Sequence, residues 1–127
     1  MIVSATRERF IAAIAERLPG ADVLEAHFFS PHRHAEVESG LAVVAAQSED
    51  NAGGRPTVYS ATYLLTLKGA ERGKWAATVT PEADAPLVTV DEVVRGVARR
   101  AEDTDEITRM SGDEFRAIAR SRAAATT

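Results

Sequence analysis

The chain has 127 residues, 45% of them hydrophobic and 27% charged, which suits one domain with its own core and excludes a disordered chain. Fifteen basic and nineteen acidic residues leave a net charge of −4, which excludes a global attraction to nucleic acid or anionic lipid. With no cysteine, disulfides, thiolate metal sites and cysteine nucleophiles are excluded as well.

No apolar run approaches the ~20 residues that span a bilayer. The first ten residues, Met1 to Phe10, lack the charged and then apolar pattern of a secretory leader. The expectation is a cytoplasmic protein with no membrane or nucleic-acid partner. Lysine occurs only at Lys68 and Lys74. Coding bias explains the arginine excess at least as well as arginine-based recognition does.

Residues 4–18 read as a helix, with Phe10, Ile11, Ile14 and Leu18 on one stripe. Ser4 or Thr6 suits its start, and Pro19-Gly20 its stop. Residues 22–29 alternate as a strand, placing Leu24, Ala26 and Phe28 inward and Val23, Glu25, His27 and Phe29 outward. Ser30 to His34 interrupts it, because Pro31 cannot donate to a ladder. A second strand runs from about Ala35 to Gln47. Its inward set is Val37, Ser39, Leu41, Val43 and Ala45, and its outward set Glu36, Glu38, Gly40, Ala42 and Val44.

Ser48 to Pro56 is a polar connection with a glycine pair. The chain's organising element follows, a β-hairpin over 57–80 with a polar, two-glycine turn. Tyr59, Ala61, Tyr63, Leu65 and Leu67, with Trp75, Ala77 and Val79, form its core face. Its wetter face carries Ser60, Thr62, Thr66, Thr78 and Thr80. Pro81 to Pro86 leaves the sheet as a linker.

Two capping boxes then announce helices. Thr89-Val-Asp-Glu92 has Val88 and Val93 as its hydrophobic staple, and Val90, Val93, Val94, Val97, Ala98 and Ala101 follow at helical spacing. Gly96 within that run suggests close approach of a neighbouring strand. Ser111-Gly-Asp-Glu114 has Met110 and Phe115 as its staple. The acidic segment 102–106 separates the two helices as solvated chain, and residues 123–127 are expected to fray.

These elements give a single α+β domain over 1–127. We expect a two-layer sandwich, a four-stranded antiparallel sheet in the order α-β-β-β-β-α-α with its helices on one face. The rival is a more strongly curled sheet wrapped around a helix, with a cavity between the layers.

For chemistry, the first hairpin is the most suggestive region. Glu25, His27, Glu36 and Glu38 are expected on one outward surface, with His32 and His34 at the turn. Imidazole and carboxylate ligate zinc, manganese or iron and act as acid–base partners, so a metal ion is the one cofactor these residues suggest. The opposing view is an ordinary wet sheet face, since no HExxH-like spacing is present. Gly69 to Lys74 resembles a phosphate loop only superficially. It is one residue short, Trp75 stands where a hydroxyl would hold magnesium, and a strand follows instead of a helix. Tyr59, Tyr63 and Trp75 are candidate lining of an aromatic ligand pocket, and equally ordinary core. Arg95, Arg99, Arg100, Arg116, Arg120 and Arg122 suggest a basic patch, which their acidic neighbours turn into a mixed-charge surface. No GxSxG elbow supports a serine nucleophile, and no catalytic residue is assigned.

The leading expectation is a non-enzymatic protein-interaction or assembly module acting as a homo-oligomer through its sheet face or an edge strand. The alternatives are a small metal-dependent or acid–base enzyme on the histidine–glutamate surface, and a small-ligand carrier with the aromatic pocket.

Overall fold

The computed structural model describes residues 4–48, 55–82, 88–100 and 107–125. The inner parts of the two polar connections, the acidic segment 102–106 and the last two residues lie outside the described residues. The elements are α1 (Ala5–Arg17), β1 (Ala21–Phe29), β2 (His32–His34), β3 (Val37–Ser48), β4 (Thr57–Thr66), β5 (Trp75–Pro81), α2 (Val90–Arg100), β6 (Ile107–Ser111) and α3 (Gly112–Ala125). The fold is α+β. Its antiparallel sheet runs β5-β4-β3-β1-β6, with β2 also paired to β3.

The sheet therefore has six strands instead of four. One addition is the stretch read as an interruption. Pro31 does break the ladder, but His32, Arg33 and His34 resume it opposite Ser39, Glu38 and Val37. A two-residue turn at Ala35-Glu36 closes this hairpin, with Ala35 in the left-handed region at φ 57°. The other addition is β6, which pairs antiparallel to β1 from Glu25↔Ser111 to Phe29↔Ile107. Five residues without clear alternation, next to an acidic segment, gave no strand signal of their own. Pairing with β1 is what makes them a strand.

The helices occupy both faces, not one. On one side α1 and α3 bury Phe10, Ile11, Ile14 and Phe115 against Phe28, Val44, Tyr63 and Met110. On the other, Val90, Val93, Val94 and Val97 of α2 pack on Phe29, Val43, Ala45 and Val58. The reason lies in β3, where Ala42 to Ala46 is a continuous apolar run, buried throughout. A strand apolar on both sides is a central strand that needs cover on both. The first capping box forms in both directions and the second only in the forward one. Glu92 N donates to Thr89 Oγ1 and Thr89 N to the Glu92 side chain, while Glu114 N donates to Ser111 Oγ. Helix α3 is described through Ala125, and the last two residues of the stretch expected to fray lie outside the described residues. A β-carbon on Gly96 would meet no atom within 4 Å, so among the described residues no strand approaches it closely.

The facing of β1 matches expectation at Ala26 and Phe28, while that of β3 is reversed. At Val23 and Leu24, β1 departs from expectation for a local reason. The β1–β3 register slips between Val23↔Ala46 and Glu25↔Ala45, leaving Leu24 as an extra, unpaired residue. This one-residue bulge turns Val23 into the core and leaves Leu24 42% exposed. Beyond it, Ala26 faces Val44 and Phe28 faces Ala42, both pairs beneath α1 and α3. The even-numbered residues of β3 thus face the larger core, the reverse of the expected set.

Candidate functional site

That reversal separates the residues proposed from the sequence as one site. Glu25 and His27 lie opposite Ala45 and Val43 on the α2 side of the sheet. Glu38 points to the opposite side, where it meets Tyr63. Glu36 is exposed in the turn, and its carbonyl accepts from Leu67 N at 2.8 Å. His32 and His34 are exposed on β2. Among the described residues, no three His, Asp or Glu side chains converge to hold a metal ion.

On the α2 side, Arg109 Nε donates to Glu25 Oε2 at 3.0 Å. His27 Nε2 stands 3.5 Å from the same oxygen. That contact lacks hydrogen-bond geometry, and the buried nitrogen has no partner among the described residues. A buried, unsatisfied ring nitrogen costs about 1–3 kcal/mol. His27→Leu should therefore leave stability unchanged or raise it in urea unfolding. A loss of more than about 1 kcal/mol would instead give the ring a polar role here.

On the α1 and α3 side, the sequence reading missed a connected set built around Glu38. The Tyr63 hydroxyl donates to Glu38 Oε2 at 2.8 Å, and Arg33 Nε donates to Glu38 Oε1 at 2.8 Å. Glu38 is only 4% exposed, so both its oxygens are occupied out of water. Burial first, and then the bond to the Glu38 carboxylate, push the Tyr63 hydroxyl far above the usual phenol range, and it stays a donor. A cleft of about 420 Å³ opens above this set, with Phe10 and Phe28 among its walls and Arg7 on its rim.

The aromatic residues do not share one pocket. Tyr63 stacks on Trp75 at 4.7 Å between centroids and meets Phe10 edge-on at 4.8 Å, so this cluster is core. Trp75 faces a groove between α1 and α3, and Arg9 lies 4.5 Å above its ring. Tyr59 packs on the edge of the core. The arginines are divided in the same way, with Arg95 and Arg99 on α2 and Arg116, Arg120 and Arg122 on α3, across the sheet. Arg116 is engaged internally, reaching Asp22 at 2.5 Å and the Val23 carbonyl at 2.7 Å. The side chain of Arg100 lies outside the described residues.

The remaining feature is a groove of about 470 Å³ on the α2 side, over the stretch of β4 and β5 around Leu64 and Ala76. Leu41, Thr62, Leu64, Ala76 and Thr78 pave it, and Val97 and Phe29 form its α2 edge. Thr62 and Thr78 share a hydrogen bond at 2.8 Å across the strands. Leu64 is 52% exposed, and none of the lining side chains is Asp, Glu, Lys or Arg. No protein-family model matches the chain, and neither does any curated protein or solved structure. Among the described residues, no helix is long and apolar enough to cross a membrane.

Proposed function

We propose that the protein is a non-enzymatic assembly module that forms a homo-oligomer by packing the open half of its α2-side sheet face on the same face of a second copy. The half-exposed Leu64, in a groove whose lining holds no Asp, Glu, Lys or Arg, carries this reading. A two-fold interface sets each patch against its own image, so a patch rich in one sign of charge repels itself. On a chain with a net charge of −4, an uncharged patch is where two copies approach at the least electrostatic cost. Thr62, Ala76 and Thr78 are short enough for two sheets to come together at roughly the 10 Å of stacked sheets.

The test is sedimentation velocity on the wild type and on Leu64→Glu. We expect a dimer that the glutamate converts to monomer, with unfolding stability within about 0.5 kcal/mol of wild type, because Leu64 is no part of either core. A wild type that sediments as a monomer at its highest soluble concentration removes the reading.

A second reading rests on the same groove. Its volume falls in the ~300–1,000 Å³ range of small-molecule sites. Carriage of a small apolar ligand would appear in native mass spectrometry as added mass on a monomer. A dimer without added mass favours assembly.

A further inference from the structure

The cleft above Glu38, on the side of the sheet away from the proposed assembly face, has a division of chemistry that the core does not require. One wall is apolar, formed by Phe10, Phe28 and Pro31. Arg7, Arg33 and Tyr63 line the same cleft, the Tyr63 hydroxyl being bound to Glu38. Arg7 lies over the Phe28 ring, its guanidinium carbon 5.2 Å from the centroid. Among the described residues, no carboxylate lies within ion-pair distance of it. Arg33 spends only its Nε on Glu38, and its side chain is 75% exposed, so both terminal nitrogens remain free for a second acceptor.

Glu38 is not the group a ligand would touch. It lines the cleft but is only 4% exposed, and both its oxygens are engaged, one by Arg33 and one by Tyr63. It is a positioning residue, holding one guanidinium and one hydroxyl in fixed directions. Two guanidiniums against one carboxylate leave a single net positive charge among the cleft's lining residues. A monoanion balances that charge, whereas a phosphate dianion would exceed it. The adjoining aromatic wall calls for an apolar body on the same molecule.

We infer that this cleft is a binding site for a small amphipathic monocarboxylate, its carboxylate held between Arg7 and Arg33 and its apolar body lying against Phe10 and Phe28. Arg7, already stacked on Phe28, presents its guanidinium edge to the acid without first breaking an ion pair. That limits the desolvation cost of binding. Phe29, Gly40, Leu41 and Tyr63 line both the cleft and the assembly groove. Arg7, Arg33, Phe10 and Phe28 line only the cleft, and Leu64, Ala76 and Thr78 only the groove, so changes at those residues let either proposal fail without the other.

The experiment is titration of the full chain with 4-phenylbutyrate, with its neutral amide as control, followed by calorimetry and by amide chemical shifts. We expect saturable binding of the acid with Kd near or below about 1 mM, and none of the amide. Shifts should centre on Arg7, Arg33 and Tyr63. Arg7→Gln keeps the stem and removes the charge, and it should weaken the acid about tenfold to a hundredfold with the fold intact. Arg33→Gln should do likewise. No saturation by about 10 mM acid overturns the inference. Equal binding of acid and amide, an unchanged affinity in Arg7→Gln, or shifts centred elsewhere each overturn it too.

Discussion

Gly40→Ala is expected to cost about 3 kcal/mol or more and to lower Tm by on the order of 10 °C. Gly40 lies directly opposite Tyr63 in the β3–β4 ladder, and the tyrosine ring crosses over the glycine. A β-carbon there would clash with the Cε1 edge of the ring, 2.6 Å from Cζ and 2.8 Å from Cδ1. Such a clash is cheap when the ring can swing away, and here it cannot. Trp75 stacks on one side, Phe10 meets it edge-on, and Glu38 holds the hydroxyl. Relief must come from strand separation or from giving up all three contacts. That places the cost at the upper end of the overpacking range. Thermal unfolding followed by circular dichroism measures it, and a Tm within about 2 °C of wild type would contradict the ring's placement. In a double-mutant cycle with Tyr63→Leu, the two losses should be far less than additive, because the smaller side chain vacates the space.

The same ring shows what was legible in the sequence and what was not. Alternation in 57–80 placed Tyr59, Ala61, Tyr63, Trp75 and Ala77 on one core face, and the structure has them there. Both capping boxes and the α1 stripe were equally local signals, and each formed, the second box only in the forward direction. Facing along the first hairpin was a different matter. Alternation defines two sets of residues without saying which set is inside. A single bulged Leu24 reverses the facing of Val23 and Leu24 while Ala26 and Phe28 keep theirs. In β3 both sets are apolar between Ala42 and Ala46, so the pattern held no preference, and only cover on both faces satisfies it. The proposed grouping of Glu25, His27, Glu36 and Glu38 depended on that one undetermined choice. The Arg33–Glu38–Tyr63 set was invisible for the complementary reason. Its members meet through the register of β3 with β2 and with β4, and register is a long-range quantity. Gly40 was the available hint, since a glycine inside a strand often marks a place where something crosses closely.

Replacing Tyr63 itself should separate its packing from its hydroxyl. Tyr63→Ala empties a site that is 5% exposed and should cost about 3–5 kcal/mol in urea unfolding. A loss below about 1 kcal/mol would mean that the residue lines a cavity in the manner of a carrier and is not core. Tyr63→Phe keeps the ring and leaves Glu38 Oε2 without its donor, for a smaller loss of about 1–3 kcal/mol. The second variant also carries a pH signature. In the folded chain the hydroxyl is held far above the ordinary phenol value of 10.0, by burial and then by the Glu38 carboxylate. The unfolded chain loses this proton near pH 10 while the native chain keeps it, so the unfolded state gains free energy from ionising that the native state does not. The stability linked to Tyr63 is thus fully present below pH 10 and declines progressively above it. Phenylalanine has no proton to lose in either state. The advantage of wild type over Tyr63→Phe should therefore shrink as the pH is raised from about 8 to about 11. A constant gap across that range would mean that the hydroxyl is exposed to water and unconnected to Glu38. The cleft would then lose its donor, and Arg33 the neighbour that shares its carboxylate.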